Sequence, residues 1–224
     1  MTVDVTKPEI AGAQTAQSIQ SANILKNTYM LLGATLATTS VVAFIAQAMQ
    51  LPSMPLIVML VGFYGLLYMI HKTKNSGAGL AWTFAFTGFM GLSLGPVLNT
   101  FLSLENGASI IGNAFMMTAL AFFSLSAYAL KTKRDLSFLE GFIFAGFIVL
   151  FSAMVLSWFV DISGMQMAIS VGFVLFSSAV ILYQTQSIVR GGEDNYILAA
   201  ITLYVSIYNM FLSLMSLLGM GSSD

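Results

Sequence analysis

The chain of 224 residues is 58% hydrophobic and only 8% charged, with a formal net charge of −1, and its mean hydropathy is +0.88. Soluble domains run at about 45–50% and about 25% for the first two quantities, so an ordinary soluble domain is excluded and an integral membrane protein is indicated. Cysteine is absent, which excludes disulfides and cysteine-based zinc or redox chemistry; no nucleic-acid partner is expected.

A hydrocarbon core of about 30 Å takes about 20 apolar residues per helix, so the chain has room for seven spans and no attached catalytic module. Residues 1–26 hold Asp4, Lys7, Pro8, Glu9 and many Gln, Ser, Thr and Ala, with no apolar run before the first span. They read as a polar, flexible cytoplasmic tail and not as a cleaved signal. A transmembrane domain follows over 27–219, with apolar runs near 28–49, 55–71, 79–101, 108–130, 136–159, 164–188 and 196–218, and a short tail at 220–224. Strand-like alternation is missing, so an all-α bundle is expected, because only helices would then satisfy the backbone in lipid.

Along the third run, Thr83, Thr87, Gly91, Gly95 and Asn99 recur every four residues and mark one small-residue face, suited to close approach of another helix. Gly95-Pro96 predicts a kink or break, since Pro96 lacks an N–H and obstructs the preceding turn; broken helices can line cavities, and simple packing is the other reading. Glu140 lies about five residues into the fifth run near the basic cluster at 131–134. It reads either as a carboxylate snorkelling to that surface or as a gate charge. Ser170, Ser177 and Gln184 recur every seven residues in the sixth run, with Gln186 beyond. Asn195, Thr202, Ser206, Asn209, Ser213 and Ser216 make one polar face of the seventh. Hydrogen bonding between these two helices and a narrow polar cavity for an ion or proton both need such side chains. Between them, "RGGEDN" reads as a turn in which Gly191 and Gly192 permit positive φ.

All basic residues, Lys7, Lys26, Lys72, Lys74, Lys131, Lys133, Arg134 and Arg190, fall on one side of a seven-span arrangement. The positive-inside rule then puts the N-terminus in the cytoplasm and the C-terminus outside, in the periplasm. No lysine stands in mid-span for a retinal Schiff base, and neither HExxH nor GxSxG occurs; the single histidine, His71, stands at the end of the second run. Two mid-depth aspartates are missing as well. Intramembrane proteolysis of metallo or aspartyl type has no residues to use, no serine nucleophile is signalled, and no enzyme activity, metal or cofactor is expected.

The stretches "KNTYMLLG" at 26–33, "TGFMGLSLGPVLNT" at 87–100, "FFSLSAYALKTKRDLSFLEGFIFAG" at 122–146 and "ILYQTQSIVRGGEDNYILAAITLYVSIYNMFLSLMSLLG" at 181–219 resemble the transmembrane Bax inhibitor motif family. Within it they are most similar to the bacterial YccA-type modulators of the FtsH protease. The resemblance implies a seven-helix bundle with helix 7 central and two activities among members. One is a pH-sensitive calcium leak governed by an aspartate pair on helices 6 and 7, whose motif positions fall here on Gln184 of "LYQ" and Ser206 of "LYVSIYN", with Asn209 matching the family asparagine. Neutral Gln and Ser are poor calcium ligands and do not titrate near neutrality, so any leak here lacks the di-aspartyl sensor. The other activity, implied for this branch, is binding and restraint of the membrane-anchored AAA protease FtsH in the bacterial inner membrane, with indirect effects on translocon subunits. On that reading Ser206 and Asn209, supported by Thr202, Ser213 and Ser177, join helices 6 and 7.

Overall fold

The computed structural model describes residues 6–157, 159–160 and 164–221, with side chains described from Ser18 onward. Seven helices follow one another: α1 (Thr6–Ala48), α2 (Leu56–Thr73), α3 (Gly77–Leu102), α4 (Gly107–Lys131), α5 (Phe138–Leu156), α6 (Met165–Arg190) and α7 (Tyr196–Met220). No strand occurs among the described residues. All seven are long and apolar enough to cross a membrane, the candidate span of α1 beginning at Ser18.

The segment 6–26, expected as a flexible tail, is helical and continuous with α1. It is rich in Ala and Gln, which favour helix. Its inward residues Ser21 and Ile24 begin a buried stripe that continues through Thr28, Leu31, Thr35, Thr39, Ala43 and Ala46 at steps of three or four, the spacing of one helix face. Ile24 packs with Ile188 of α6 and Ala199 of α7, so tertiary contact holds the last turns of the segment. Residues 1–5, Asp161 and the tail beyond Gly221 lie outside the described residues.

The helices form two groups, which meet through α7 and through direct contacts of α1 with α6 and α3 with α4. In the first, α3 packs on α1 and α2; in the second, α6 packs on α4 and α5; α7 touches α1, α2, α3, α4 and α6. Accordingly 67% of the apolar window of α7 is buried, against 6% for α2 and 0% for α5. In lipid, the exposed apolar faces of α2 and α5 carry no penalty, because the tails are as apolar as a core. Phe63, Phe86, Tyr204 and Tyr208 form an aromatic ladder from α2 through α3 to α7, with centroid separations of 5.4, 5.9 and 6.2 Å.

Of the kink or break expected at Gly95-Pro96, the break is absent: α3 is continuous from Gly77 to Leu102 with Pro96 inside it. Proline removes one N–H from the ladder, a loss that membrane helices tolerate when neighbours pack closely. Here both residues are buried, and Gly95 faces the backbone of Ala46 and Gln47 in α1. Of the face Thr83, Thr87, Gly91, Gly95, Asn99, the last four residues meet α1. At the C-terminal end of this face, Gln47 Nε2 donates to Asn99 Oδ1 at 3.1 Å and Asn99 Nδ2 donates to the Gln47 carbonyl at 3.2 Å.

Candidate functional site

Gln184 and Ser206 are both buried, at 7% and 5% exposure, yet each bonds elsewhere. Gln184 Nε2 donates to Glu193 Oε2 at 3.3 Å in the turn between α6 and α7. The other carboxylate oxygen of Glu193 accepts from the Asn195 N–H at 2.9 Å. Ser206 donates to the Thr202 carbonyl one turn back at 2.8 Å, a bond within α7 that leaves α6 untouched. Asn209 is half-buried and Ser213 buried. The bond of Ser206 thus stays within α7, and among the described residues a side-chain bond between α6 and α7 lies farther along the seam, Ser170 Oγ to Ser216 Oγ at 3.3 Å. The physical reason is local: a helical serine reaches the carbonyl four residues back without any partner helix.

Two tyrosines that the polar seam did not include carry polar bonds from α7 to α1 and α3. Tyr204 is fully buried and its hydroxyl lies 2.7 Å from Thr39 Oγ1. Thr39 spends its one proton on the Thr87 carbonyl, 2.9 Å away. Tyr204 is therefore the donor, and a relay runs from α7 through α1 to α3. One turn on, the Tyr208 hydroxyl lies 3.3 Å from Ser93 Oγ, whose proton goes to the Met90 carbonyl at 2.8 Å. The signal for both was available as two tyrosines four apart in an apolar run, since a buried phenol seeks a partner.

Asn195 caps α7 by accepting from the N–H groups of Ile197 and Leu198, each at 3.1 Å. Its amide donates to the Lys74 carbonyl at 3.2 Å and to Asn75 Oδ1 at 2.9 Å. One side chain thus fixes the start of the most buried helix to the loop between α2 and α3. The turn before it ends α6 at Gly191, φ +76°, a conformation that favours glycine.

At the same end of the bundle, α6 clamps the loop 132–137. Gln186 Oε1 accepts from the Leu136 N–H at 2.8 Å and Gln186 Nε2 donates to the Arg134 carbonyl at 2.8 Å. Arg190 donates to the same carbonyl at 2.8 Å and pairs with Asp135 at 3.1 Å. The Ser137 backbone N–H and then its hydroxyl hold the exposed Asp135 carboxyl below its ordinary range, with Arg190 adding attraction, so the pair stays charged at neutral pH. Gln186→Leu is expected to lower stability by about 1–2 kcal/mol, because it leaves the buried Leu136 N–H without a partner; denaturant unfolding in detergent checks this, and an unchanged midpoint would contradict it.

Among the described residues, further hydroxyls on Thr28, Tyr29, Ser126, Ser177 and Thr185 are buried without a hydrogen-bond partner. The α6 and α7 seam thus offers neutral oxygens and no carboxylate at 184 or 206. Gln and Ser at these two positions suit packing and neutral hydrogen bonding and do not titrate near pH 7; the carboxylate that meets the seam is that of Glu193, held by Gln184 and the Asn195 N–H.

Comparison with known proteins agrees in extent. The family described as inhibitor of apoptosis-promoting Bax1 matches residues 21–223. The chain is 48% identical over 201 residues, 90% of its length and 91% of the relative's, to the modulator of FtsH protease YccA of Escherichia coli strain K12. The same identity and coverage hold for a protein of a second E. coli strain called inner membrane protein YccA. An uncharacterized Pseudomonas aeruginosa protein is 56% identical over 209 residues, covering 93% of this chain and 94% of that one.

Proposed function

The chain belongs to the family of inhibitors of apoptosis-promoting Bax1, and from that membership we propose that it is a regulator without chemistry of its own, which binds the membrane protease FtsH and restrains it. The observation that carries this reading is its 48% identity, over nine-tenths of both chains, to a protein that bears the name of modulator of that protease. The chain is a multi-pass protein of the bacterial inner membrane. In our reading α7 is the central helix, the N-terminus and the basic loops face the cytoplasm, and the C-terminus faces the periplasm. The protease and the bilayer are its partners, and translocon subunits are affected only through the protease.

Two features of the site support regulation over ion leakage. Gln184 and Ser206 stand at the positions of the family aspartates and are neutral, and each bonds within its own helix or the adjoining turn. The polar bonds from α7 to its neighbours go chiefly into fixing it against α1 and α3, which suits a rigid body that presents a surface. The test is to purify the tagged full chain in mild detergent, probe for the protease, and follow turnover of a membrane substrate with this chain deleted or overproduced. Co-purification and slower turnover on overproduction are expected. Turnover identical in both strains would overturn the reading.

A further inference from the structure

The open groove between α5 and α6 at the basic end has a volume of about 720 Å³ and is lined by Ser137, Glu140, Gly141, Phe144, Phe147 and Phe176, among others. Three properties set it apart from plain lipid-facing surface. First, its floor is shaped: Gly146 lets the Phe176 ring lie 3.3 Å from where a Cβ would stand, while Gly141 has open space in front of it. Phe147 stacks on Phe151 at 5.8 Å and continues the aromatic wall along α5. Second, its mouth holds an exposed carboxylate, Glu140 in the first turn of α5, faced by Tyr183 of α6. The Tyr183 hydroxyl hydrogen-bonds this carboxylate and the helix N-terminus favours it modestly, but no cation pairs with it among the described residues. Third, the loop leading into the groove is held rigid by Gln186 and Arg190 through its backbone. Arg190 is paired with Asp135, and Lys131, Lys133 and Arg134 are exposed, without an ion pair among the described residues.

An apolar groove with an anion at its mouth and exposed cations in the segment that leads into it matches a single zwitterionic amphiphile. We propose that this groove binds one membrane phospholipid with a primary-amine headgroup: an acyl chain lies along Phe144, Phe147 and Phe176, the phosphate meets the Lys131, Lys133 and Arg134 side chains, and the ammonium meets Glu140. The cations alone would favour an anionic lipid. Glu140 reverses that preference by repelling a purely anionic headgroup and attracting the amine. α5 packs on α6 alone, so the bound lipid also supplies packing that no other helix gives this face.

Native mass spectrometry of the purified full chain, titrated with phosphatidylethanolamine and phosphatidylglycerol of equal chain length, tests the proposal. Wild type is expected to retain phosphatidylethanolamine about five-fold better, the effect of one headgroup charge contact. Glu140→Gln abolishes the preference or turns it toward phosphatidylglycerol. Gly141→Leu, whose Cβ would stand in open space, puts a side chain into the groove and lowers retention of both lipids. Equal retention by wild type, a wild-type preference for phosphatidylglycerol, or a preference that survives Glu140→Gln would overturn the proposal. Unchanged retention in a folded Gly141→Leu protein would do so too. Should that variant fold poorly, Glu140→Gln at its exposed position still decides the matter.

Discussion

Tyr204→Ala is expected to destabilise the bundle by about 2–4 kcal/mol, among the largest effects of any single side-chain truncation in this chain. The ring is fully buried between Phe86 and Tyr208, so its removal opens a cavity in the helix that touches most of the others. In lipid the transfer part of the usual cost shrinks, because the unfolded helices remain in an apolar medium; the cavity and lost packing remain. Removal of the hydroxyl adds a smaller loss. Thr39 keeps its bond to the Thr87 carbonyl, so Tyr204→Phe should cost only about 1 kcal/mol. Unfolding of both variants in mixed detergent micelles separates the contributions. A Tyr204→Ala protein within 1 kcal/mol of wild type would mean that this junction does not hold the three helices together.

The contrast between that junction and the α6 and α7 seam explains what could be read in advance. Seven apolar runs separated by charged or Gly/Pro-rich loops predict seven helices, because burial of the backbone in lipid leaves no other economical structure. The four-residue repeat from Thr83 to Asn99 likewise announces a close helix contact, and α1 fills it. Polar periodicity says less about partners. Ser206 and Ser170 lie on inward faces, yet each bonds the carbonyl four residues back at 2.8 and 2.9 Å, and only Ser170 also reaches across. A short hydroxyl has this choice in every helix, and its outcome depends on the rotamer and on the neighbour's distance. Phenols and long amides reach past their own turn more readily. Tyr204, Tyr208, Gln184, Gln186 and Asn99 are accordingly among the residues that bridge elements. Weighting long polar side chains above serines would have moved the candidate site toward α1, α3 and the clamped loop. The continuation of α1 into residues 6–26 was obscured by the polarity of that segment, although the step from Ser21 to Ile24 to Thr28 already has helical spacing.

The same reading makes the α1 and α3 contact the second place where a small change has a large effect. At Gly95 an added Cβ would stand 2.5 Å from the Ala46 Cβ and 2.9 Å from the Ala46 carbonyl carbon and the Gln47 nitrogen. Backbone cannot swing aside as a flexible side chain does, so one helix must move bodily. Such a shift would loosen the contact at Gly91, where Thr39 and Val42 approach equally closely. It would also strain the Gln47 and Asn99 pair one turn on. Gly95→Ala should therefore cost about 2–3 kcal/mol, the upper part of the overpacking range, even though alanine is the better helix former. Gly88 on the same helix has nothing within 4 Å of its would-be Cβ, so Gly88→Ala should leave stability unchanged or raise it slightly. Measured side by side, the two variants separate helix propensity from interhelical contact. Equal stability of the two would show that α1 and α3 tolerate separation, and the relay from Tyr204 through Thr39 to Thr87 would then be a consequence of the packing and not a support for it.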